Sequence, residues 1–154
     1  MEVKASLLEY LLFDYTQEIA PSFVAVRLKE AFEKQDFELF KEQINQLFSK
    51  IPYQLFDTNQ EKYYHSVIFI IFQLLGYHIQ AEISTSKGRL DAVIITQTHV
   101  FVLEFKMNDS AKNAIHQIRE KQYFQPYLNL NKPLVLVGVA LKNKEVEDIL
   151  VENL

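Results

Sequence analysis

Residues 90–106, LDAVIITQTHVFVLEFK, constrain the fold more than any other part of the chain. Two runs rich in valine, isoleucine and phenylalanine flank Thr96-Gln97-Thr98-His99, which leaves room only for a short reversal. They are therefore expected to lie side by side as antiparallel strands. If the loop is Gln97-Thr98, paired residues have numbers summing to 195, so Asp91 falls opposite Glu104 and Arg89 opposite Lys106. A four-residue loop with the same centre keeps that pairing and a three-residue loop shifts it by one. No Asn-Gly or Asp-Gly turn decides between them. In either register Glu104 and Lys106 share a face, because side chains alternate along a strand.

Charges in so apolar a segment need a physical reason. Directly opposed carboxylates have Cβ atoms about 4.5–5.5 Å apart and destabilise the pair. In a low-dielectric sheet they require a shared proton or a cation. The chain has no cysteine, so it offers no thiolate ligand, nucleophile or disulfide. Oxygen donors alone favour a hard divalent ion, magnesium or manganese. From the residues alone, a salt-bridged polar face at a sheet edge also accounts for Asp91, Glu104 and Lys106.

The surroundings extend the pattern. Asp57, Thr58 or Asn59 can cap a helix through QEKYYHSVIFIIFQLL, with Gly76 as its stop, and residues 67–72 are apolar on every side, so this helix should be buried. YHIQAEIS alternates like a strand, STSKG reads as a turn, and GRLDAVIIT and HVFVLEFKM complete a meander. Asn108-Asp109-Ser110 offers caps for a helix AKNAIHQIREKQYF, striped by Ala111, Ala114, Ile115 and Ile118 and closed by Pro126. KPLVLVGVA has the continuous apolar character of a fully covered strand, reached by a parallel crossover. The tail KNKEVEDILVENL reads as a short helix. The expected fold is α/β: helix, three-strand meander, helix, strand, in a mixed sheet with helices on both faces.

Upstream, residues 1–56 read as a helical arm ahead of a domain at 57–154. Pro21-Ser22 starts one helix of the arm, Asp36 caps another, and Pro52 marks the break. The segment MEVKASLLEYLLFDY lacks the parts of a signal peptide, and VIFIIF is too short to cross a bilayer. A soluble, cytoplasmic protein without a membrane partner is expected. The net charge of −4 disfavours indiscriminate coating of nucleic acid, but its distribution is uneven. Residues 1–86 carry 7 Lys+Arg against 12 Asp+Glu, residues 87–132 carry 7 against 4, and residues 133–154 carry 2 against 4. The one basic region brackets the charged strand pair, where a cationic surface can attract phosphate.

Leu90-Asp91 followed by Glu104-Phe105-Lys106, in this element order, resembles the PD-(D/E)XK nuclease superfamily, with Leu90 where the motif has proline. More narrowly, GRLDAVI, VFVLEFK, AIHQIREKQYFQPY and PLVLVGVAL resemble a bacterial nuclease-like domain found C-terminal to AAA-ATPase-like domains, and the helices of 1–50 its linking arm. The resemblance implies a restriction-endonuclease-like core and a metal-dependent nuclease. Asp91, Glu104 and the backbone carbonyl of Phe105 would hold magnesium or manganese. Lys106 would orient the attacking water or stabilise charge developing on the phosphate. Glu61 matches the superfamily's additional acid and Gln117 a frequent polar site residue. Tyr123 resembles a recurring tyrosine, although packing explains it better. His65, one turn after Glu61, reads as a core-edge residue. The implied substrate is nucleic acid, DNA first. The competing reading is a catalytically silent module of the same fold that binds nucleic acid or protein. An ATPase-like partner would lie outside this chain, which has no GxxxxGK[ST].

Overall fold

The structure, a computed structural model, describes residues 21–50 and 61–154, with side chains for 26–49, 64–73 and 75–154. The described residues fall into two compact units. One takes in the chain up to Leu75 together with Asn143–Val146, and the other comprises Gly76–Lys142 and Glu147–Leu154.

In the first unit, helix α1 spans Pro21–Glu33, α2 spans Phe37–Lys50 and α3 spans Glu61–Leu74. Pro21 stands at the first helical position, where its missing N–H costs no hydrogen bond. Asp36 caps α2, its Oδ1 accepting from the Leu39 N–H at 3.2 Å. Phe72 of α3 packs edge-on to Phe32 of α1 and stacks on Phe40 of α2, with centroids 5.1 and 5.6 Å apart. Val67, Ile68, Ile70, Ile71 and Phe72 are buried and Phe69 is half-buried, so the expected burial of the apolar run holds for all but one of its residues. Gly76, at φ +85°, follows α3 as the expected stop. The Asp57, Thr58 and Asn59 caps, the Pro52 break and the helix expected before residue 21 lie outside the described residues. Asn45 of α2 receives the Val146 N–H at 2.7 Å and donates to the Val146 carbonyl at 2.9 Å. One amide side chain thus satisfies both backbone groups of a residue that opens a strand.

Apart from the first two residues of its last strand, the second unit contains a five-stranded sheet in the order β1-β2-β3-β4-β5, built from His78–Thr85, Gly88–Ile95, Val100–Met107, Leu134–Lys142 and Glu145–Asn153. β1–β2 and β2–β3 are antiparallel, and β3–β4 is parallel. The meander and the crossover are therefore both present. The β2–β3 register pairs Ala92 with Leu103 and Ile95 with Val100, the sum of 195 expected for a Gln97-Thr98 loop. Thr96 fixes that turn: its backbone N–H donates to the His99 carbonyl at 2.9 Å, and its Oγ1 accepts the His99 N–H at 2.9 Å.

Helix α4, Ala111–Lys121, starts at Ser110, whose side chain accepts from the Asn113 N–H, and buries Ala111, Ala114, Ile115 and Ile118, the predicted stripe. It packs over β3 and β4. Two expectations are corrected here. The helix stops at Lys121, with Gln122 left-handed as its cap, and Pro126 instead opens a 3₁₀ turn over Gln125–Leu130. The tail is not a helix. Asn143 and Lys144, both at positive φ, reverse the chain into β5, and the Leu154 N–H at its end donates to the Leu134 carbonyl at the start of β4.

Candidate active site

β2 and β3 part company where their charges begin. The ladder between them runs from Ile95–Val100 to Ala92–Leu103, and the next pair in register would be Asp91–Glu104. There the Asp91 carboxylate accepts the backbone N–H of Phe105 at 2.8 Å. A side chain has replaced the neighbouring strand as acceptor.

The β1–β2 pairing is also interrupted at this level. Leu90 and Val93 share one buried cluster, although residues three apart on a regular strand face opposite sides. Across from Asp91, Glu82 is left-handed at φ 54°, and the β1–β2 pairs pass from Ala81–Ala92 to Ile83–Leu90. Arg89, expected opposite Lys106, lies beyond the β2–β3 ladder; on the β1 side it pairs with Ser84 and binds Glu82 at 2.5 Å. The expectation of two carboxylates held face to face by regular pairing is corrected accordingly: the register is right, but the ladder has ended.

On β3 the alternation holds. Glu104 is 3 % exposed, and its Oε1 accepts from Gln117 Nε2 at 2.6 Å. The Gln117 Oε1 accepts from Lys106 Nζ. One amide on α4 therefore links the acid and the lysine expected to share a face. A carboxylate so deeply buried keeps its charge only with donors or a cation beside it, and Gln117 supplies one donor. Asp109, just past the strand, has its carboxyl held below the ordinary carboxylate value. The Ser110 N–H is the chief cause, followed by the Asn113 side chain, with the Lys106 charge also lowering it.

Phe105 is buried, and its carbonyl direction follows from the hydrogen bonds of its neighbours. Val100 and Asn108 donate their N–H groups to the carbonyls of Pro133 and Leu141, so even-numbered β3 residues turn their backbone groups toward β4. A strand residue sends its N–H and C=O to the same edge. The Phe105 carbonyl thus points to the β2 side, as its N–H does when it reaches Asp91.

Gly138 went unnoticed in the sequence. It pairs with Glu104 in the parallel register, and a Cβ there would lie 2.3 Å from the Ala111 carbonyl oxygen and 3.0 Å from Ile115. Its missing side chain lets α4 settle close enough to carry Gln117 over β3. An isolated glycine in an apolar strand was the available signal. Tyr123 is a packing residue, 2 % exposed within the core cluster. Glu61 is the first residue of α3, and its side chain lies outside the described residues.

No group of three or more His, Asp or Glu side chains able to hold a metal occurs among the described residues. Two carboxylates and a carbonyl nevertheless suit magnesium, which is commonly held by one or two carboxylates while water and substrate phosphate complete its shell.

The mixed five-stranded sheet and the crossover helix together define a restriction-endonuclease-like α/β fold. The chain belongs to the PD-(D/E)XK nuclease superfamily, whose family model matches residues 59–149. It is also 32% identical, over 165 aligned positions covering all of this chain, to "Uncharacterized protein in vnfD 5'region" of Azotobacter chroococcum mcd 1. The alignment takes in 32% of that protein, so the chain spans about a third of its length. No solved structure matches the chain. Among the described residues, no helix is long and apolar enough to cross a membrane.

Proposed function

We propose that the chain hydrolyses phosphodiester bonds in nucleic acid, DNA first, at a site made by Asp91, Glu104, Lys106 and Gln117. The supporting observation is the hydrogen-bonded run from Lys106 through Gln117 to Glu104, with Asp91 anchored to the adjoining Phe105 N–H. Asp91, Glu104 and the Phe105 carbonyl would hold magnesium or manganese. Such an ion supplies Lewis acidity and lowers the pKa of a bound water. Lys106 orients the attacking water or stabilises the negative charge that builds up on the phosphate oxygens. Gln117 positions Lys106 by holding its ammonium group. Hydrolysis adds water across the bond: the water oxygen joins phosphorus, a P–O ester bond breaks, and the leaving oxygen takes up a proton.

Glu61 would add a further acid. The helices ahead of the sheet would serve as the arm to an ATPase-like or other protein partner, and a cysteine-free chain suits the reducing cytoplasm. The decisive experiment measures cleavage of single- and double-stranded DNA and RNA with magnesium or manganese, for wild type and Lys106→Ala. Cleavage that requires the metal and disappears in the variant supports the proposal. Nucleic-acid binding without turnover, under every metal condition, replaces it with the silent-module reading.

A further inference from the structure

A cleft of about 440 Å³ lies between the β1–β2 turn and the C-terminal end of α4. Ser84, Thr85, Ser86 and Lys87 line it from the turn, and Lys121 and Gln122 from the helix. No carboxylate is part of the lining. Hydroxyls, the amides of Gln122 and Gln125 and two ammonium groups offer donors and positive charge, the chemistry that receives phosphate oxygens.

The cleft is built rather than incidental. Ser86 and Lys87 form the two-residue reversal between the paired Thr85 and Gly88. Thr85 Oγ1 accepts the Lys87 N–H at 3.2 Å and donates to the Gly88 carbonyl at 2.9 Å. Buried Tyr123 lies directly beneath the turn: a Cβ on Gly88, at φ +148°, would stand 2.9 Å from its hydroxyl. Lys87 Nζ donates to Gln122 Oε1 at 2.5 Å, joining the turn to the helix cap.

The charges are unevenly committed. The neighbouring arginines are both ion-paired, Arg89 with Glu82 at 2.5 Å and Arg119 with Glu152 at 2.6 Å. Among the described residues neither Lys87 nor Lys121 has such a partner. A lysine in the last turn of a helix is ordinarily explained by the helix dipole. That explanation covers Lys121 but not Lys87, which sits on a different element, nor the absence of acids from the lining of a protein whose net charge is −4.

Position supplies the rest. Lys121 follows Gln117 by four residues on α4, about 6 Å along the axis. Gly88 precedes Asp91 by three residues on β2, about 10 Å of strand. With a backbone charge about every 3.4 Å along one strand, the cleft is about two to three nucleotides from the charged group on β3. The geometry points to this cleft as a backbone-phosphate contact for the nucleic-acid strand that enters the Asp91–Glu104–Lys106 site. This inference rests on the nuclease reading for the identity of the polymer.

The test measures binding without metal, so that cleavage plays no part. Anisotropy of fluorescent single-stranded and duplex oligonucleotides in EDTA is followed across a salt series for the full chain, the double variant Lys87→Gln/Lys121→Gln, and Lys87→Arg/Lys121→Arg. Losing two phosphate contacts should reduce the slope of log affinity against log salt by about 1.8 for duplex and about 1.4 for single strand. The arginine pair should keep the wild-type slope. In parallel, bound oligonucleotide should protect Lys87 and Lys121 of the wild type from acetylation, a readout that does not depend on the variants folding. An unchanged slope with no protection overturns the inference. So does wild type that binds no nucleic acid, or a mononucleotide that competes as well as the oligonucleotide. Binding with the expected slopes but no cleavage in magnesium or manganese defeats the hydrolase reading alone. Cleavage by a protein whose slope ignores both lysines defeats the cleft alone.

Discussion

The Asp91 carboxylate accepts the Phe105 N–H across 2.8 Å at the first position beyond the last β2–β3 ladder pair, Ala92–Leu103. Asp91 is thus both a backbone acceptor and a proposed metal ligand, and two substitutions separate the roles. Asp91→Ala removes the acceptor and should cost about 1–3 kcal/mol in chemical denaturation, as for a buried donor left unmatched. Asp91→Asn keeps an oxygen facing the N–H and should lose less stability. Both should lose cleavage by about a hundredfold or more, since neither brings a negative charge to the site. An asparagine variant that cuts like wild type would show that the aspartate serves the strand and not the chemistry.

Gln117 donates to Glu104 and accepts from Lys106, so its two ends hold opposite charges. Gln117→Leu fills similar space and releases both groups. Residues that orient a site from behind typically cost about 10–100-fold when replaced, and that loss in kcat is expected here. Gln117→Glu keeps the acceptor for Lys106 but faces Glu104 with a second carboxylate, which favours the protonated form of one of them. Its cleavage optimum should therefore move to higher pH than that of wild type, a shift absent in Gln117→Leu. Identical pH profiles in the two variants would place Gln117 outside the charged network.

Asp109 gives an acid-side prediction. Its carboxyl is held below the ordinary 3.8, first by the Ser110 N–H, then by the Asn113 side chain, with a smaller share from Lys106. A depressed folded-state value stabilises the protein above the ordinary value, and that stability is lost as the pH falls through the lower folded one. Melting temperature followed from pH about 5 to about 2.5 should drop more steeply for wild type than for Asp109→Asn, the difference developing below about 3.8. The same window in high salt should look similar, because hydrogen bonds dominate the shift and only the Lys106 share is screened.

The elements legible in the sequence are those whose periodicity and turn agree. The stripe Ala111, Ala114, Ile115 and Ile118 is buried as its spacing requires. The centre of the Gln97-Thr98 loop sets the register of the central hairpin, because a two-residue turn leaves no other pairing. What stayed hidden depends on backbone conformations that carry no compositional mark. Glu82 adopts a left-handed conformation rare for glutamate, so alternation alone could not show where the β1–β2 pairing is interrupted opposite Asp91. The β4–β5 turn conceals itself likewise: Asn143 suits a positive φ, but Lys144 does not advertise one, and the acids after it mimic an exposed helix. Of the candidate site, charge on an apolar strand singled out Asp91, Glu104 and Lys106, whereas the hydrogen bonds of Gln117 depend on how closely a helix approaches the sheet.

That approach is set by Gly138, and the dependence can be measured. A methyl group there would stand 2.3 Å from the Ala111 carbonyl oxygen, a backbone atom that cannot swing away, and 3.1 Å from the Ala114 Cβ. Gly138→Ala must therefore lift the first turns of α4 or bend β4. Overpacking of this kind costs about 1–3 kcal/mol, which in a chain of this size lowers the melting temperature by roughly 2–12 °C. Displacing α4 also draws Gln117 away from Glu104 and Lys106, so activity at a temperature where the variant is fully folded should fall toward that of Gln117→Leu. Combining the two substitutions should then cost little more activity than either alone, because both act through the same contact. Independent, multiplicative losses in the double variant would mean that Gly138 supports the fold without holding the site.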